Sequence, residues 1–155
     1  MIELFSINGS ELILKEQNGL IPLHIDDEVS SLSAILLNES YYEVLKSGLR
    51  VVDGVSVLKE EFLVVFKIKA WLDLSTLKEK GENIDNDDIK KHKNDIFRLS
   101  GIILNPTPMN LPEEDKADVE QFCEKILFED VDLKKLHIKN SKDNILQKYK
   151  NMFKL

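Results

Sequence analysis

From Lys59 to Leu104 the chain reads KEEFLVVFKIKAWLDLSTLKEKG and then ENIDNDDIKKHKNDIFRLSGIIL, which leaves little choice of local structure. The first stretch predicts a long helix from Lys59 or Glu60 to Lys80, stopped by Gly81. Asp85 is a natural N-cap for a second helix that runs to about Leu104, ahead of Asn105-Pro106. On a helical wheel Lys67 falls among Leu63, Val64, Ala70, Trp71 and Leu74, inside the apolar face. An ammonium group there is costly unless an anion meets it. Lys69, Asp73, Thr76 and Lys80 fall on the other side, expected to be solvated, with Lys69 and Asp73 as a surface pair worth little. On the second helix Asp88, His92 and Asp95 follow an i, i+4, i+7 line bordering the apolar face of Ile89, Ile96, Leu99 and Ile103. Lys91 and Arg98 flank Asp95 with opposite charge at i−4 and i+3. Asp95 is expected to answer Lys67 across the interface of the two helices.

Two readings stand for each of these residues. Lys67 either meets a functional anion, or forms a structural salt bridge or snorkels to solvent. His92 either belongs to a binding edge or is simply well hydrogen-bonded. As a metal site the Asp88, His92, Asp95 line is weak, because three ligands on one straight helix rarely converge on one ion.

Before this pair, MIELFSI alternates like a strand, so the chain opens in mid-strand. Asn8-Gly9 and Asn18-Gly19 make turns around ELILKE, a second short strand, and LIPLHI is a further extended run whose Pro22 suits an edge. VSSLSAILL reads as a helix, with Asp26, Asp27 and Glu28 at its N-terminus. A further helical piece follows Asn38, from Glu39 to about Ser47, and stops at Gly48. LRVVDGVSVL predicts a hairpin turning on Asp53-Gly54. After the helix pair, Pro106, Pro108 and Pro112 make a rigid connector, and Pro112 suits the first turn of a helix. Val119, Phe122, Cys123, Ile126 and Leu127 form its buried stripe. Ser141 caps a last helix with Ile145, Leu146, Tyr149, Met152 and Phe153 on one side. The order predicts an α+β fold: a small N-terminal sheet with a β-hairpin leads into a C-terminal helical bundle. Residues 1–58 form the sheet-containing part and 59–155 the helical portion of one compact unit.

Charge narrows the functional classes. The formal net charge is −7, and residues 1–58 carry nine acidic side chains against three basic ones. That balance argues against a nonspecific nucleic-acid surface, and no DNA surface is expected. Cys123 is the sole cysteine, which excludes a disulfide framework and a cysteine zinc site; on its apolar stripe it reads as a buried, inert thiol rather than a nucleophile. No apolar run approaches a membrane span and no basic leader precedes IELFSI, so a cytoplasmic address is expected. Asp26, Asp27 and Glu28 read as helix capping before they read as a divalent-ion cluster, and His24 and His137 have nothing at useful spacing. There is no phosphate loop, Ser/His/Asp signature or CxxC.

HIDDEVSSLSAILLN, RVVDGVSVL, the K-x-K-A-W-L-D-L segment and D-I-K-K-H-K-N-D-I-F-R-L together resemble the C-terminal part of bacterial nucleotidyltransferase-fold proteins of the abortive-infection, toxin-antitoxin type. The likeness runs from about residue 1 to 128 and is strongest from Lys67 to Leu99. It implies a partial nucleotidyltransferase-like fold. It implies further that Glu3 matches the third metal-holding carboxylate, Lys67 the nucleotide-contacting lysine and Asp95 its aspartate, with Lys91 and His92 beside the nucleotide. The family's Gly-Ser signature and Asp-x-Asp pair have no match, because the chain begins after the place where they belong. A lone Glu3 cannot hold the metal, so the chain alone is expected to be catalytically incomplete. Mg²⁺ and NTP enter only if the missing motifs are supplied. The expected partners are an N-terminal half or an antitoxin-like protein, or a second copy through the exposed first strand. The rival expectation is a non-enzymatic protein-interaction module, in which Lys67 and Asp95 are only an internal bridge.

Overall fold

The computed structural model describes the backbone of residues 4–7, 20–23 and 32–155, and the side chains of 38–155. Three strands come first: β1 (Leu4–Ile7), β2 (Leu20–Leu23) and β3 (Leu32–Leu37). They form one sheet in the order β1-β3-β2, with β3 parallel to β1 and antiparallel to β2. Pro22 lies opposite Ser33 on β2, an edge strand, where a missing N–H is tolerated. Part of the expected VSSLSAILL helix is instead the strand β3. Its apolar run is too short for periodicity to separate a buried strand from a helix, and pairing on both sides decides for the strand. The expected strand ELILKE, along with Glu3, His24, Asp26, Asp27 and Glu28, lies outside the described residues.

Helix α1 (Glu39–Gly48) follows, capped by Asn38, whose Oδ1 accepts the Tyr41 N–H at 3.0 Å. Strands β4 (Leu49–Val52) and β5 (Val55–Leu58) pair antiparallel around Asp53 and Gly54, both at positive φ (51° and 79°). That is the two-residue turn whose twist matches the strands. Helices α2 (Glu60–Glu79) and α3 (Asn86–Ile102) pack on one another, and α4 (Glu113–Lys125) packs on α2. A 3₁₀ turn (Ile126–Phe128) and α5 (Lys142–Phe153) complete the chain, so the class is α+β and mostly helical. The chain divides into two compact units between Ser47 and Gly48, which places the β4–β5 hairpin with the helices.

Helix ends are determined by local chemistry. Past α2, Gly81 at φ 89° donates to the Lys78 carbonyl and Glu82 to the Leu77 carbonyl, a Schellman closure that needs a left-handed residue. Asp85 caps α3 by accepting the Asp87 N–H, and Ser141 caps α5 by accepting the Asn144 N–H. Pro112 sits at the N-cap of α4, one position ahead of the first turn. Two lysines close the opposite ends. The Lys142 ammonium donates to the carbonyls of Ile126, Leu127 and Glu129, and Lys148 donates to those of Ser100 and Ile103.

The core of the second unit contains Val64, Val65, Ile68 and Trp71 from α2, Ile96 and Phe97 from α3, and Val119, Phe122 and Cys123 from α4. The expected stripe of α5 is buried in full. The α4 stripe fails at its last member: Leu127 is 52% exposed, because the 3₁₀ turn rotates it away from the α-helical register. Helix α2 has no wholly solvated side either. Lys69 pairs with Asp73 at 2.8 Å and with Asp118 of α4 at 3.7 Å. Burial pulls the Lys69 pKa down, and the Asp73 hydrogen bond, followed by the charges of Asp73, Asp118 and Glu114, raises it above the ordinary value.

Gly48 is present for space rather than for a left-handed turn. A Cβ added there would lie 2.5 and 2.6 Å from Cγ and Cβ of Phe62 and 2.7 Å from Leu58 Cδ1. Helix propensity alone favours alanine over glycine by about 1 kcal/mol. The stem of Phe62 cannot swing aside, so Gly48→Ala is expected to destabilise by roughly 1–3 kcal/mol. A urea titration checks this, and a stabilised variant would show that the Phe62 contact yields.

Candidate functional site

Lys67 projects from the middle of α2 and Asp95 from the middle of α3. Their side chains are 16% and 27% exposed, and Lys67 Nζ lies 3.7 Å from Asp95 Oδ2. At that distance the contact is electrostatic rather than a good hydrogen bond. The other carboxylate oxygen, Oδ1, accepts from Arg98 Nη1 at 3.1 Å. One carboxylate therefore serves two cations, one at each oxygen. Val64, Ile68 and Trp71 bury the neighbouring surface of α2, so Lys67 reaches the pair along an apolar stem.

The remaining expected residues divide. Asp88 and Lys91 are exposed, and His92 is half-buried with interactions of its own. Arg98 alone fills the flanking role expected of both Lys91 and Arg98: among the described residues no ion pair joins Lys91 to Asp95. Glu3 lies outside the described residues. The Mg²⁺ implied by the resemblance has no donor set here: among the described residues, no three His, Cys, Asp or Glu side chains are grouped so as to hold an ion.

Arg98 also connects to a feature that the sequence did not announce. A cleft of about 660 Å³ opens beside α3, walled by Asn86, Lys90, Lys93, Asn94 and Arg98 of that helix, Ser75, Lys78 and Glu79 of α2, and the segment Glu129–Asp132 with Lys135. Lys93 crosses its floor to Glu129 Oε2 at 2.7 Å and the Asp130 carbonyl at 3.1 Å. Lys78 holds the rim by donating to Asn86 Oδ1 and to the Ile84 carbonyl. Asn86, Lys90, Lys93 and Asn94 recur at i, i+4, i+7 and i+8, which a reading for polar faces finds, and Arg98 follows Asn94 by one further turn. The opposite wall comes from residues more than 30 positions later in the chain, and no spacing rule supplies it.

Cys123 fits its expected inert role. Burial pushes the thiol up to about 11, with Lys150 pulling it down and Glu120 and Glu124 adding to the rise. Among the described residues no helix is long and apolar enough to cross a membrane. Compared with protein-family models, curated proteins and solved structures, the chain matches none of them.

Proposed function

We propose that this chain is the helical C-terminal portion of a nucleotidyltransferase-like protein of the abortive-infection toxin type, catalytically incomplete by itself. Completed by an N-terminal half bearing the Gly-Ser and Asp-x-Asp elements, it transfers a nucleotidyl group from an NTP to an RNA or protein acceptor. An acceptor oxygen attacks the α-phosphorus and pyrophosphate leaves. Lys67 contacts phosphate oxygens, and Asp95 is a positioning residue that keeps the ammonium group in place. The observation carrying this reading is the Lys67–Asp95 pair: a cation rooted in an apolar face, held by a carboxylate shared with Arg98, and still partly open to a ligand. Both partners come from the segments that bear the family likeness.

The test is co-expression with such an N-terminal half and transfer of label from α-³²P NTP. Lys67→Ala is expected to lower transfer at least tenfold, about 1.4 kcal/mol of transition-state stabilisation or more. Asp95→Asn should lower it less. Transfer indifferent to Lys67→Ala would remove the assigned site.

A second reading has a separate observation behind it. The β4–β5 hairpin shows Val51 at 72% and Val55 at 61% exposure, with Leu49 and Val52 nearly half exposed. Such apolar surface is what a non-enzymatic protein-interaction module would present. On that reading the completed complex shows no transfer with any NTP.

A further inference from the structure

The cleft beside α3 does not include Lys67, and its lining follows a pattern of its own. Two of its cations are committed to structure: Lys93 to Glu129 and the Asp130 carbonyl, and Lys78 to Asn86 and the Ile84 carbonyl. Lys90 and Lys135 meet no carboxylate within ion-pair distance among the described residues. Arg98 is 53% exposed and spends Nη1 on Asp95, which leaves the rest of its planar fork for another anion. On the facing segment Glu129 is answered by Lys93, and Asp132 Oδ1 accepts the backbone N–H of Lys135. Asp130 and Asp132 keep acceptor capacity toward the cleft, and Ser75 and Asn94 add neutral donors.

Lys90 and Arg98 on α3 face Asp130 and Asp132 on the loop, with Lys135 beside the aspartates and Glu79 of α2 at the edge, a mixed lining that suits a ligand with an anionic group and hydroxyl groups. A polyanion would be repelled by Asp130, Asp132 and Glu79, and a plain polyol would leave the cations unanswered. The volume of about 660 Å³ matches a small metabolite rather than a polymer. We propose that this cleft binds a hydroxylated phosphate monoester of the sugar-phosphate class. Arg98 takes the phosphate in the field of Lys90 and Lys135, and Asp130 and Asp132 accept hydroxyl groups.

The test is an amide NMR titration of the full chain with glucose 6-phosphate, inorganic phosphate and glucose in turn. Glucose 6-phosphate is expected to give saturable shifts along Asn86–Arg98 and Glu129–Lys135, and to bind at least about threefold tighter than inorganic phosphate. Arg98→Gln, at an exposed position, should weaken it about tenfold, the loss of one charge-assisted contact. Lys150→Gln, an exposed lysine outside the cleft, should titrate like the parent. The proposal is overturned by absence of saturable shifts, by equal weakening in Arg98→Gln and Lys150→Gln, or by glucose 6-phosphate binding no tighter than phosphate. Because the titration reads binding in the cleft and not transfer, these outcomes leave the nucleotidyl-transfer reading to its own assay.

Discussion

Phe122→Ala is expected to lower folding stability by about 3–5 kcal/mol, the range for emptying a buried aromatic site. Phe122 has no exposed surface, and its ring meets Trp71 edge to face, centroids 5.4 Å apart at 89°. The contact joins α4 to α2, so the substitution removes three contributions at once. The apolar area returns to water, a cavity opens beside the indole, and the aromatic pair, worth about 0.5–1.5 kcal/mol beyond its area, is lost. Urea unfolding should show a lower midpoint at an unchanged m-value. A loss under about 1 kcal/mol would mean that α4 closes onto α2 freely.

Stability should also fall steeply in alkali. Cys123 and Tyr149 are acids whose neutral forms the fold favours. Burial raises the thiol from 9.0 to about 11 and carries the phenol well above the ordinary tyrosine range, against a small opposing pull from Ser100. The phenol also donates to the Ile96 carbonyl, a bond that its ionised form cannot make. Both folded pKa values lie above the unfolded ones, so the stabilisation is complete below the unfolded values and is lost as pH rises. For the thiol the window runs from 9.0 to about 11, and the phenol adds its share from 10.0 upward. Each group steepens the fall by about 1.4 kcal/mol per pH unit inside its window. Urea titrations at pH 8, 9.5 and 10.5 should therefore show a decline whose first part is absent in Cys123→Ala. Parallel declines in parent and variant would show that the thiol ionises in the folded chain.

How much could be read in advance depended on how local the deciding forces were. The Asp53-Gly54 hairpin, the Asp85 and Ser141 caps, Gly81 after α2 and the five-residue face of α5 are all specified within a few neighbours, and each is where its residues placed it. The Lys67–Asp95 pair was legible for a related reason: a charge inside an apolar face must find its opposite, and Asp95 borders the apolar face of the next helix. Longer-range partners decided the rest. Leu32–Leu37 is a strand because strands lie on both sides of it. Lys69 lost its solvated side to Asp118, 49 positions later, and Gly48 answers to Phe62 rather than to helix termination. The cleft needed a wall that only tertiary packing brings to α3. Of the residues that the resemblance implied, Lys67 and Asp95 meet, and Glu3 lies outside the described residues.

The lysine closures at the ends of the helices have a further consequence. Lys142 and Lys148 grip neutral backbone oxygens rather than formal anions. Dissolved electrolyte screens the attraction between two exposed formal charges, but it has less purchase on a cation bonded to neutral carbonyl oxygens. The cross-ties that α5 makes to the turn before it and to the tail of α3 should therefore outlast surface pairs such as Arg50–Glu60 in concentrated brine.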